Sequence, residues 1–261
     1  MKRTEQDEVD FIQIGNISPA SIEETCKHAI GMIDRSMQYL QLTMPPNEKI
    51  QQASEDISYE LSRLERATDE MLDVIQLQQG SKPVICMVEL CSFLRWVEMQ
   101  RPEIARQSDV TVSTKSTLRE CIVWADAHEA GQVFFHLLSN ALSACKPCGH
   151  IEISLRKGEN DYVMTISDDG VGLPNERNWR ENRRRFMGGT RLGLVLCEQF
   201  CKRAGWTLSL EDLSDKGGHG TLATVRIPLP DAPISPELAV DLCVETDKQF
   251  SLHWLHEAEK N

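Results

Sequence analysis

The sequence predicts an α+β protein in two parts. A long N-terminal helical hairpin, pairing with a second copy as a dimeric four-helix bundle, precedes an α/β sandwich with helices on one face of a mixed sheet. Three observations predict it. An apolar stripe at helical spacing runs through the first 80 residues, a pair of prolines breaks it once, and beyond residue 107 the pattern changes to short alternating runs separated by glycine-rich turns.

Residues 1–16 show no periodicity and read as a flexible lead-in. From Ile17, the positions Ile22, Cys26, Ala29, Ile33, Met37 and Leu40 recur every three or four residues and draw one apolar face of a helix. MPPNE at 44–48 ends it, because proline lacks the amide hydrogen and disfavours a helical residue before it. A second helix then runs from about Glu48 to Gln79, with Ile50, Ile57, Leu64 and Met71 spaced by seven and Ala53, Leu61, Ala67 and Val74 or Ile75 on the other seam. One hairpin covers only one face of each helix, so a second copy is expected to complete the core across a two-fold axis.

Gly80 closes the hairpin, and a connecting helix is expected within 81–106. Six strand-like runs follow: VTVS at 110–113, CIVWAD at 121–126, IEISLR at 151–156, YVMTIS at 162–167, TLSLED at 207–212 and TLATVRIPL at 221–229. Helical stretches at 129–146 and 192–205 interrupt them. The expected divisions are therefore 1–16, 17–80, 81–106, 107–230 and an acidic tail at 231–261.

The composition, 261 residues with 41% hydrophobic and 26% charged, is that of a globular chain. No apolar run is long enough to span a bilayer and MKRTEQDEVDF has no apolar core, so a cytoplasmic protein is expected. A net charge of −12 argues against nucleic acid as a partner. Nine cysteines in apolar or helical surroundings read as buried thiols, and CKPC at 145–148 lacks the second pair a structural zinc site needs. The charge balance reverses in one place: residues 176–191 hold six arginines against two glutamates, which reads either as a solvated loop or as a clamp on a polyanion.

Four segments of the second part carry chemistry in a fixed order. Asn140 is a polar residue in the apolar helix VFFHLLSNALSAC. SDDGVGLP at 167–174 brings a strand end into glycines that let a ligand approach the backbone, with carboxylates that can accept from an amino group. MGGTRLGL at 187–194 leads directly into a helix, whose free amides suit phosphate. DKGGHGTLATV at 215–225 is a glycine-rich turn before a strand.

In this order and spacing, residues 105–230 resemble the ATP-binding domain of histidine kinases, of the GHKL (Bergerat-fold) superfamily: DAHEAGQVFFHLLSNALSA is similar to its N box, ISDDGVGLP and GGTRLGLVLCEQFCKRAGW to its two glycine boxes, and GGHGTLATVRIPLP to its closing strand. SRLERATDEMLDVIQLQQG resembles the second helix of the family's dimerisation and phosphotransfer hairpin. The resemblance implies a cytoplasmic two-component signalling protein that binds ATP and Mg²⁺, dimerises through the hairpin and works with a response-regulator receiver domain or another kinase. It implies that Asn140 binds Mg²⁺, Asp168 accepts from the adenine amino group, Gly170 and Gly172 admit base and ribose, Gly189, Thr190, Arg191, Leu192 and Gly193 border the phosphates, and Thr221 closes the pocket. The segment between Leu173 and Gly188 corresponds to the lid, whose arginines would neutralise triphosphate charge. Two positions depart from the family: Arg191 stands where glycine is usual, and His136 where the N box commonly has Asn.

The expected phosphoacceptor is His28 in CKHAIGMID. It lacks the acidic residue that usually follows, since Ala29 is next, and Glu24, one turn earlier, is the candidate base in its place. Helical geometry turns His28 about 135° from the apolar stripe, and puts it about 25 Å before Pro45, in the middle region of a bundle. Two alternatives accompany the self-phosphorylating kinase: a non-catalytic pseudokinase or adaptor that docks a receiver or another kinase through its bundle, and a kinase that acts in trans on a protein partner.

Overall fold

The computed structural model of the chain describes residues 19–43, 48–145, 147–173, 192–213, 219–230 and 239–242. Helix α1 (Pro19–Thr43) and helix α2 (Glu48–Gln78) pack as an antiparallel pair, with Lys27 near the start of α1 ion-paired to Asp69 near the end of α2. Their apolar surface is only partly used between them. Ile30 is buried at 5% exposure, whereas Ile33, Leu40, Ile57, Leu64 and Met71 remain between 39% and 54% exposed. The face of α1 turned inward is thus centred on Ile30 and not on Ala29, which is exposed; the stripe expected around Ala29, Ile33 and Leu40 looks partly outward.

The segment expected to hold only a connecting helix is built differently. It forms strand β1 (Ile85–Glu89) and helix α3 (Cys91–Ser108), and both belong to the core of the second part. Glu89 makes the corner between them: one carboxylate oxygen accepts from Cys91 N at 2.9 Å and Cys121 N at 3.0 Å, and the other from Arg95 at 2.7 Å. Strand β2 (Thr111–Ser116) follows, then β3 (Ile122–Asp126), which returns antiparallel to β1.

Asp126 ends β3 and starts helix α4 (Ala127–Ala144): its side chain accepts from His128 N and Glu129 N, satisfying two first-turn amides, and from Val84 N at 2.6 Å. Strands β4 (His150–Lys157) and β5 (Asp161–Asp168) form a hairpin, helix α5 (Gly193–Ala204) follows, and β6 (Thr207–Asp212) and β7 (Thr221–Pro228) pair antiparallel. Gly205 ends α5 at φ 71°, the left-handed conformation that glycine takes at least cost. The main sheet runs β2-β4-β5-β7-β6, parallel only at β2–β4, and a smaller sheet runs β3-β1-β8, with β8 (Val240–Asp241) parallel to β1. The expected tail therefore includes residues that are part of the fold: Leu242 is buried and its amide donates to Ser92 Oγ at 3.0 Å.

Helices α3, α4 and α5 share one core with the sheet. Phe93 and Trp96 of α3 meet Phe134 and Phe135 of α4, with Phe135 edge-on to both α3 rings, and Trp206 stacks on Phe134 at 6.0 Å. Truncating Phe134, which is fully buried, would cost about 3–5 kcal/mol. This rigid slab fixes the last two turns of α4 over the end of β5, where the polar residues converge.

Candidate functional site

Ile151 of β4 faces Asp168 across the ladder, so Asp168 stands at the open end of β5. It is a carboxylate at 6% exposure whose Oδ1 accepts from Gly170 N at 2.9 Å and Thr221 N at 3.2 Å. Burial pushes its pKa up from the ordinary value, and the two amides hold the rise back. The next residue, Asp169, ties the end of β5 to the start of β4, its carboxylate accepting from His150 N at 2.8 Å and from the Cys145 thiol.

The backbone around Asp168 leaves no room for side chains. A Cβ on Gly170 would lie 2.3 Å from the Ala144 carbonyl oxygen at the end of α4, and Val171 N donates to that same oxygen at 3.1 Å. Gly172 turns with φ 75°. Gly220, just before β7, has φ 98°, and a Cβ there would lie 1.9 Å from the Asp168 carbonyl oxygen. Gly220 belongs beside the residues expected from the sequence; its signal was the GGHG run before a strand, within which the position held against β5 was not distinguishable.

Asn140 lies one turn before the Ala144 carbonyl and is half-buried; its Nδ2 is enclosed and has no hydrogen-bond partner among the described residues. His136, one further turn back, is buried, and Gly193 at the start of α5 sits against it, where a Cβ would come 2.8 Å from Nδ1. Leu192 precedes α5 without a side-chain cap, so the first helical amides are not closed off by its side chain. Asp168, Gly170 and Thr221 are thus joined directly at the end of α4 and β5, with Gly172 in the turn after Gly170, Asn140 one turn back along α4, and Gly193, preceded by Leu192, against His136 one turn further back. Gly189, Thr190, Arg191 and the expected lid lie outside the described residues.

His28 and Glu24 stand apart, exposed on α1, and among the described residues no hydrogen bond joins them. The level of His28 on the hairpin is nonetheless informative. Its neighbour Lys27 pairs with Asp69 of α2, and the next α2 residue, Glu70, brings its Oε1 to 3.7 Å from His136 Nδ1. One turn on, Asp73 Oδ1 lies 2.8 Å from His128 Nε2. The second hairpin helix therefore docks on the N-terminal and middle turns of α4 through two carboxylate–histidine contacts. Burial, with the Arg66 charge adding to it, holds His136 down to about 4, so its ring is neutral. These α2 partners were not foreseen, because a heptad reading ranks only apolar positions.

The family described as histidine kinase-, DNA gyrase B- and HSP90-like ATPases matches residues 125–231, which contain α4, β4, β5, α5, β6, β7 and every pocket residue above. Residues 125–231 are thus similar to GHKL ATPase domains. The chain is 29% identical over 189 residues to the sensor histidine kinase YkoH of Bacillus subtilis, covering 69% of this chain and 40% of YkoH. It thus spans less than half the length of that relative. The histidine kinase AdeS of Acinetobacter baumannii has the same mixed fold, with a TM-score of 0.53 at 15% identity over 78% of this chain and 98% of AdeS. The histidine kinase ThkA, in a structure with the response regulator TrrA, superposes with a TM-score of 0.51 at 21% identity, over 80% of this chain and 60% of ThkA. No helix among the described residues is long and apolar enough to cross a membrane.

Proposed function

We propose that this chain is a cytoplasmic histidine-kinase-like protein of two-component signalling that binds ATP·Mg²⁺ in the GHKL domain and dimerises through the hairpin. The observation that carries the nucleotide reading is Asp168, a buried carboxylate anchored by two amides at a strand end, in a cradle that only glycine backbone can form at 170 and 220. That arrangement fits an adenine amino group as the donor to Asp168, with Thr221 beside it. Asn140 would offer its side-chain oxygen to Mg²⁺, which would supply charge neutralisation for the phosphates, while its enclosed Nδ2, a donor without an acceptor among the described residues, suits a phosphate oxygen. Gly189, Thr190, Arg191, Leu192 and Gly193 would border the phosphates.

His28 is the proposed acceptor: a ring nitrogen forms the N–P bond as the bond from the γ-phosphorus to ADP breaks, and Glu24 would take the ring proton. Its place at the level where α2 meets α4 supports this reading. The phosphoryl group would then pass to an aspartate of a receiver domain. A second reading, a non-catalytic adaptor docking a receiver or another kinase, is favoured by one feature: the buried Glu70 carboxylate faces His136, where it would oppose a triphosphate.

Incubation with γ-labelled ATP separates them. Acid-labile label that disappears in His28→Ala supports the kinase, and label that persists there removes His28 as acceptor. Absent label with ATP binding that is lost in Asp168→Asn supports the adaptor. Base-labile label on an added protein supports a kinase acting in trans.

A further inference from the structure

A cavity lies apart from the nucleotide pocket. It opens between α3 and the loop joining β2 to β3, holds about 650 Å³, and reaches β4 at Ser154, Leu155 and Arg156. The ladder pairs Asp168 with Ile151 and Val163 with Arg156, so this cavity lies five residues along the strands from Asp168, roughly 17 Å away at the opposite end of the sheet. Its volume falls within the range of small-ligand pockets, about 300–1,000 Å³.

Its lining reverses the charge of the molecule. The chain carries 40 acidic residues against 28 basic ones, whereas the cavity is lined by Arg95, Lys115, Arg119 and Arg156 with the single carboxylate Glu98. The charges are not equally engaged. Glu89 holds Arg95 at 2.7 Å, Glu152 holds Lys115, and Glu98 accepts from Thr114 at 2.5 Å. Arg119 and Arg156 have no carboxylate partner among the described residues, and both are exposed to the cavity mouth. The apolar lining residues Cys91, Leu94 and Leu155 are buried and Leu118 half-buried, making an apolar floor, and Ser116, Thr117 and Ser154 add hydroxyls to the lining, that of Ser154 hydrogen-bonded to Thr165. Guanidinium groups present planar pairs of donors matched to phosphate oxygens, and hydroxyls can add further donors.

We propose that this cavity binds a small organophosphate, its phosphate held by Arg119 and Arg156 and its apolar body resting on Leu94, Leu118 and Leu155. The site is separate from the nucleotide pocket and does not depend on the function proposed for it. A phosphate on a bare inorganic ion and a phosphate on an organic body share the rim; only the second uses the floor.

The test is a calorimetric titration of the full chain with phenyl phosphate, inorganic phosphate and phenol. Phenyl phosphate is expected to bind at millimolar concentration or below, inorganic phosphate about tenfold more weakly, and phenol not at all. In the double variant Arg119→Ala/Arg156→Ala the phenyl phosphate Kd should rise at least about tenfold. Lys157→Ala, next along β4 but not part of the cavity lining, should leave it unchanged, as should Asp168→Asn. Backbone amide shifts at Ser116, Thr117 and Leu118 on titration give a second readout, and an unchanged melting temperature shows that the double variant is folded. Absence of phenyl phosphate binding, equal binding by the double variant, or loss in Asp168→Asn overturns the proposal; equal affinity for phosphate and phenyl phosphate overturns the role of the floor.

Discussion

One oxygen of Asp168 accepts two amide hydrogens, and yet burial dominates: the carboxyl is raised above its ordinary 3.8, with desolvation the largest cause and the Gly170 and Thr221 amides opposing it. A folded-state pKa above the unfolded one means that the folded chain binds this proton more tightly. Its contribution to stability is therefore present below 3.8 and is lost as pH rises through the raised value. At neutral pH the buried charge disfavours folding and is kept for what it binds. Asp168→Asn should accordingly leave the nucleotide-free chain as stable as the parent or more so at pH 7, because the amide oxygen still accepts from both amides without charge. ATP binding should be abolished, since the Asn NH₂ group would face a donor; thermal melts with and without ATP read both effects. Gly170→Ala should act in the other direction. Its Cβ would sit 2.3 Å from a backbone oxygen at the end of α4, so a loss of about 1–3 kcal/mol in denaturant unfolding is expected, with weakened ATP binding.

At the scale of elements, carboxylate–histidine contacts join the hairpin to the second part beside the apolar packing of Val74 and Leu77 on its core. Burial alone would lower the pKa of His128, but the hydrogen bond and charge of Asp73, with Asp126 and Asp69, outweigh it and the pKa is raised above 6.5. This contribution is complete below 6.5 and is lost as pH rises through the raised folded value, so docking of α2 on α4 weakens on the alkaline side. Asp73→Asn should flatten the fall in melting temperature as pH rises from 6.5 through the raised folded value. Beside this contact, Arg203 of α5 reaches Glu129 at 3.1 Å and the Ser81 carbonyl at 2.6 Å, tying helix to linker. Burial raises Glu129 to about 7 despite Arg203, so Arg203→Ala leaves a poorly solvated carboxyl without its cation; about 1–3 kcal/mol should be lost, read by urea unfolding. Little of this joint was legible in the sequence. The strands from β2 to β7 and helices α4 and α5 were legible because their periods and glycine turns are clean. PVICMVELCSFLRWV was not divisible, since β1 and the start of α3 form one apolar run whose corner is made by Glu89, a residue that reads as an ordinary surface acid. The motif order pointed to Gly170 and Thr221, whose amides meet Asp168, while Gly189, Thr190 and Arg191 lie outside the described residues. The partners on α2 came from a part of the chain where only spacing was informative.

For the whole molecule, the unmatched feature is the outer face of the hairpin. Ile57, Leu64 and Met71 recur every seven residues on α2, and Ile33 and Leu40 are seven apart on α1; all five stay at least 39% exposed. Two parallel apolar seams left open by one hairpin are what a second hairpin closes in a four-helix bundle, where each side chain fully buried contributes about 1.5–3 kcal/mol and each counts twice across a two-fold axis. Leu64→Glu would bring two carboxylates into that interface at once and should convert a dimer to a monomer in sedimentation equilibrium, with the helical circular dichroism signal retained. ATP affinity should be unchanged, because every pocket residue around Asp168 comes from a single chain. Labelling from γ-labelled ATP then has a directional meaning. Label on His28 that vanishes in the monomer places the donor nucleotide on the partner chain, whereas label that survives places it on the same chain, whose α2 already holds the ATPase domain at the level of Lys27 and His28.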